Sequence, residues 1–229
     1  MERLGDAIES FITSPVRVTQ EMVRIFPDGL VIGMGFFSVL TLSYSYGIFF
    51  MSLLESILLF YGFRGINSYL NITSALPTKS AMTTECVSGF MSRTIESLTL
   101  FGSATESAFP SASIFMISMA SAYILAVLNK FSKELEVLGE TYSSRFYIAT
   151  IALPLLIMAF SLFRIYFGCD SIGVILFSIV IGVLAGGLIV EQNYRLLGPD
   201  SINIVGIPLL RSRTADGKKL YVCPTQSKE

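Results

Sequence analysis

Histidine is absent from this 229-residue chain. That removes imidazole general acid–base catalysis, histidine phospho-intermediates and the commonest metal ligand. Charge is scarce too. Asp, Glu, Lys and Arg make up 14% of the residues, against about 25% in a soluble domain. The formal net charge is −1, so no global basic field exists to hold nucleic acid, and nucleic acid is excluded as a partner. The three cysteines, Cys86, Cys169 and Cys223, are odd in number and lack zinc or thioredoxin-like spacing, which reads as isolated thiols. The sequence also shows no glycine-rich phosphate loop, no metal cluster and no Ser/Cys–His pair, so no cofactor is expected. Residues 1–28 carry Glu2, Arg3, Asp6, Glu9, Arg17, Glu21, Arg24 and Asp28. They hold no apolar core of the kind a cleavable signal needs.

Apolar residues are what the chain does have: 52% of the sequence, with a mean hydropathy of +0.67. They come in long charge-free blocks, the mark of an integral membrane protein. The expected class is an all-α, multi-pass transmembrane helix bundle of four or five spans. Residues 2–13 place Leu4, Ile8, Phe11 and Ile12 at helical spacing, an amphipathic segment ending near Pro15 within a polar N-terminal region, 1–28. Gly29 to Phe63 is apolar except for Glu55. One helix of that length would measure about 52 Å at 1.5 Å per residue, against a hydrocarbon core of about 30 Å. Two spans, about 29–46 and 48–63, fit better than one helix projecting from the bilayer. Residues 64–109 form a polar extramembrane loop with expected helical pieces such as Thr83–Leu100, and contain an Asn71-Ile72-Thr73 triplet that is a weak glycosylation signal. Further spans are read at about 110–128, 146–167 (with Pro154 predicted to kink it) and 171–190, all within a transmembrane domain, 29–190.

Residues 191–229 read as a soluble C-terminal tail with a hairpin turn at Ala215-Asp216-Gly217-Lys218. The tail carries Arg195, Arg211, Arg213, Lys218, Lys219 and Lys228, which the positive-inside rule places on the cytoplasmic side. Counting back, the 64–109 loop and the 168–170 turn share the opposite face. Glu55 reads as a partnered or boundary-located acid rather than part of a transport pathway. Gly182-Val183-Leu184-Ala185-Gly186-Gly187 and Gly29-Leu30-Val31-Ile32-Gly33 offer small faces for close helix packing within the chain, or for an oligomer contact.

Two stretches carry the candidate chemistry. In Phe109-Pro110-Ser111-Ala112-Ser113, proline suits the first turn of a span, and the Ser111 and Ser113 hydroxyls can cap its orphan donors. In Phe163-Arg164-Ile165-Tyr166-Phe167-Gly168-Cys169-Asp170, Arg164 ends a span on the same membrane face. An arginine beside a helix N-terminus is a physical recipe for holding phosphate. Ser111, Ser113, Arg164 and Tyr166 are therefore the candidate binding residues for a lipid phosphate headgroup.

These stretches resemble the second and third motifs of the type 2 phosphatidic acid phosphatase and haloperoxidase superfamily over roughly residues 100–190. The matches are Pro110 and Ser111, then Arg164, Tyr166 and Gly168. The departures fall on the catalytic positions. The family's motif histidines fall on Ser113 and Asp170, its glycine on Ala112, its serine on Phe163 and its orienting aspartate on Val174. The first motif is not found. The resemblance thus implies a pseudoenzyme, with no nucleophile, no proton donor and no catalytic residue. The expected function is a non-catalytic structural or lipid-contacting subunit of a larger membrane assembly. Its partners would be membrane lipids and other protein subunits, in an organellar complex or in the internal membrane of a virus particle. The alternative is a lipid phosphatase-like enzyme or small carrier acting on phospholipid or phosphate.

Overall fold

The apolar stretch from Gly29 to Phe63 breaks once, at Leu42-Ser43, into two antiparallel helices. A computed structural model of the chain describes residues 15–70, 86, 90–92, 95–98, 100, 109–132, 135 and 140–206. It contains five helices long and apolar enough to cross a membrane: α1 (Pro15–Thr41), α2 (Tyr44–Leu70), α3 (Ala112–Lys130), α4 (Glu140–Tyr166) and α5 (Ile172–Leu197). The protein is a multi-pass membrane bundle whose crossing elements are all helices. The amphipathic segment at 2–13, the Asn71 triplet and the tail hairpin lie outside the described residues.

The turn between α1 and α2 is short enough to need a left-handed residue, and Leu42 takes it with φ 47°. Close approach of the two helices follows from Gly35, where an added Cβ would lie 3.0 Å from the Phe50 ring. The Phe37 and Tyr46 rings also meet edge to face at 4.8 Å.

Three expectations need correction here. The polar N-terminal region and the first span are not separate, because α1 runs unbroken through Pro27 and Asp28. Asp28 is tolerated there because it is buried against protein, where its Oδ1 accepts the Leu100 N–H at 3.2 Å; a charge in a membrane helix persists when it faces partners rather than lipid. The second correction is in the 64–109 loop. Where helix was expected, two short antiparallel strands form, β1 (Phe90–Ser92) and β2 (Ile95–Leu98), with Phe90 opposite Leu98 and Ser92 opposite Ile95. Helix propensity is a weak prior, and pairing with a neighbouring segment overrides it here. Third, Pro110 does not lie in the first turn of α3. Ser111 occupies the N-cap position, and Pro110 precedes it after a cis peptide bond from Phe109.

Within the bundle α3 is central. Ile114, Phe115, Met116, Met119, Tyr123 and Val127 are all fully buried. Its most extensive packing is against α5, and glycine is the reason. A Cβ on Gly182 would lie 2.7 Å from the Phe115 carbonyl oxygen, and one on Gly186 would lie 2.4 Å from that of Met119. Backbone therefore meets backbone, the arrangement small residues permit between membrane helices. The Gly182–Gly186 face is thus spent inside the chain. Around Gly33, by contrast, an added Cβ would meet nothing within 4 Å.

Candidate functional site

The chain crosses the bundle so that α3 begins, α4 ends and α5 begins at one end of it. The bonds found there join those three elements. α4 is unbroken through Pro154 and ends at Tyr166. Gly168 then takes φ 66°, which lets the chain reverse. The Cys169 N–H bonds the Arg164 carbonyl at 3.0 Å. Ser171 caps α5 by accepting the Val174 N–H at 3.4 Å.

This turn folds Asp170 back onto Arg164. Arg164 Nε donates to Asp170 Oδ2, and the two side chains are 5% and 2% exposed. The same carboxylate oxygen accepts the Ser111 hydroxyl at 2.7 Å. Arg164 Nη2 donates to the Cys86 carbonyl at 3.3 Å. The Ser111 N–H donates to the Ser178 hydroxyl at 2.9 Å, which itself donates to the Val174 carbonyl at 2.7 Å. The result is a buried, internally bonded network that ties α3, α4 and α5 together. Burying two charges is expensive, and the pair persists because neighbouring dipoles satisfy what the ion pair leaves over.

Of the four candidate binding residues, the structure brings Ser111 and Arg164 together, with Asp170 between them. Ser111 does not use its hydroxyl as a cap; the carboxylate is the stronger acceptor. Ser113 is buried on another side of α3, where it donates to the Val23 carbonyl of α1 at 3.2 Å. Its expected capping role is likewise not seen. Tyr166 is 82% exposed, away from the network. Arg164 faces a carboxylate of its own chain, so its charge is already neutralised.

A further correction concerns cysteine. Cys86 and Cys169 are not isolated thiols but form a disulfide across 83 residues. It covers the network, because Cys86 supplies the carbonyl on Arg164 and Cys169 adjoins Asp170. No spacing signature marks such a pair. The signal that existed was topological, since the 64–109 loop and the 168–170 turn were already expected on one face. Asp28 was also missed as a buried group, because it stands just outside the charge-free run.

At the opposite end of the bundle, Lys130 closing α3 donates to Glu191 of α5 at 2.7 Å, and Arg195 bonds the same carboxylate at 2.6 Å. Lys130 also lies 4.1 Å over the Tyr194 ring. Next to this pair, Gln192 donates to Glu55 at 3.1 Å, so Glu55 is half-buried and partnered. Among the described residues no group of His, Cys, Asp and Glu side chains could hold a metal ion. Compared with family models, with curated proteins and with solved structures, the chain matches none.

Proposed function

We propose that this chain is a non-catalytic membrane protein, a structural and lipid-contacting subunit of a larger membrane assembly. The observation that carries this reading is the state of Arg164. In the resemblance to the phosphatidic acid phosphatase superfamily, this arginine would hold phosphate, and position 170 would supply the attacking nitrogen. Here Asp170 instead sits on Arg164 as its counter-ion. An incoming phosphate would have to displace a buried carboxylate, and leaving that charge unpaired costs about 3–5 kcal/mol. Ser113 and Tyr166, which would complete the cradle, point elsewhere. On this reading the remains of a catalytic constellation serve as a brace between three helices. Lipid contact then belongs to the apolar flanks, above all α4, where Ile148, Ile151 and Leu162 are more than 60% exposed.

The reading is tested on protein extracted gently from its native membrane. The expected particle exceeds the mass of a 25.1 kDa chain with its micelle, and holds other chains in fixed ratio. Pure protein given phosphatidate is expected to release no phosphate. Phosphate release that Asp170→Asn abolishes would overturn the non-catalytic part. A solitary chain under conditions that preserve membrane assemblies would overturn the subunit part.

A further inference from the structure

We infer that the end of the bundle carrying Cys86–Cys169 lies in an oxidising compartment, and that the end where α5 finishes lies in a reducing one. This fixes the orientation of all five spans. It rests on the disulfide and the membrane-spanning fold and is independent of the proposed function.

Three observations converge. The first is the disulfide itself. It joins the segment between α2 and α3 to the turn between α4 and α5. Structural disulfides form and persist in secretory, periplasmic or extracellular surroundings, and thiol-reducing systems remove them from the cytosol. The second is that the bonds found near the disulfide join elements at one end of the bundle. Ser111 at the start of α3 bonds Asp170, Arg164 at the end of α4 bonds Cys86, and Asp28, midway along α1, bonds Leu100. The third is charge. In sequence, Lys130, Lys133 and Arg145 run from the last turn of α3 into the first turns of α4, and Arg195, Arg211, Arg213, Lys218, Lys219 and Lys228 run from the last turn of α5 onward, together nine of the chain's 16 basic residues. Of the seven on the other side, Arg24 is paired with Glu21 and Arg164 with Asp170. The positive-inside rule alone decides weakly between nine and seven. The disulfide decides strongly, and both point the same way.

The orientation also accounts for the odd cysteine. Cys223 follows α5 in sequence, on the reducing side, where it has no oxidised partner to find. Two cysteines on one side of the membrane can pair, and the third on the other cannot.

The test uses the full chain in sealed vesicles whose cytoplasmic side faces outward, with a membrane-impermeant maleimide that adds mass per thiol. The wild type is expected to gain one label in intact vesicles, and none with Cys223→Ser. After denaturation without reductant the wild type still gains one, and after denaturation with reductant it gains three. Cys86→Ser denatured without reductant gains two, because Cys169 is released. In parallel, protease added to intact vesicles is expected to remove a C-terminal epitope tag, which keeps the test independent of how well Cys223 is reached. A tag that is cut only after the vesicles are opened would overturn the orientation. Three labels without reductant would overturn the disulfide on which it stands.

Discussion

α3 and α4 are both uninterrupted apolar helices, yet 67% of the apolar stretch of α3 is buried inside the protein and only 6% of that of α4. Over those stretches the mean hydropathy is 1.8 for α3 and 2.2 for α4, so there the more buried segment is the less hydrophobic one. In water that ordering would be perverse, since burial of apolar surface drives folding. In a bilayer, lipid tails are as apolar as leucine, so hydrophobicity gives a helix no reason to leave lipid for protein. What brings α3 inside is smallness, with one polar tie. Ser118 and Ser121 are small and buried along it, Ser113 donates to the Val23 carbonyl, and its backbone receives Gly182 and Gly186 of α5 directly. What keeps α4 outside is its coat of Ile148, Ile151, Leu155, Met158 and Leu162, all exposed. α4 is fastened chiefly at its end, through Arg164, and along its length by contacts such as Phe26 with Phe160 at 5.1 Å.

The sharpest way to break this contrast is at the α3–α5 seam. Gly186→Leu should abolish folding, because even its Cβ would overlap the Met119 carbonyl oxygen at 2.4 Å, and backbone cannot step aside. Gly187→Leu is the control one residue on, where nothing lies within 4 Å. It should melt within about 1 kcal/mol of wild type, the range expected away from special packing. Recovery of monodisperse protein in detergent separates the two. Equal tolerance of both substitutions would remove the seam as the centre of the fold.

Next in size is the tether of α4. Arg164→Met leaves Asp170 buried and unpaired, and Asp170→Leu does the reverse. Each should destabilise by about 3–5 kcal/mol. The double variant Arg164→Met, Asp170→Leu removes both charges and should recover most of that loss, since replacing a buried pair by apolar side chains is often neutral. Unfolding midpoints of the four proteins in one detergent give the coupling directly. If the double variant is as damaged as the sum of the singles, the two side chains do not act as a pair.

Much of this was legible in the residues. The number of spans follows from charge-free runs, because a bilayer permits few ways to hide a backbone. The break in the 29–63 run follows from bilayer thickness, although its position at Leu42 does not, since leucine is no turn former. That Arg164 would meet the start of the 110 helix followed from counting crossings. What could not be read were facts of three-dimensional neighbourhood. Nothing in Ser113 says that it faces Val23 rather than Arg164. Nothing in Cys86 names Cys169 across 83 residues. The orders of burial of α3 and α4 run against hydropathy, so a reading by hydropathy alone would invert them.

The smallest effects test the inversion most directly. Phe115→Ala on α3 should destabilise by about 3 kcal/mol, the lower end of the range for a buried phenylalanine, because its ring is fully enclosed and lies 5.7 Å from that of Phe60. Ile151→Ala on α4 should change the midpoint by less than about 0.5 kcal/mol, as for a substitution remote from packed contacts. Ile151 is 64% exposed to whatever surrounds the bundle, and that is detergent or lipid in the folded and the dissociated helix alike. Thermal unfolding of both variants in the same micelle compares the helices with a side chain removed from each. A loss at Ile151 matching that at Phe115 would mean that α4 is packed as tightly as α3. The hydropathy ordering would then again be the ordinary one, with the more apolar helix the more buried.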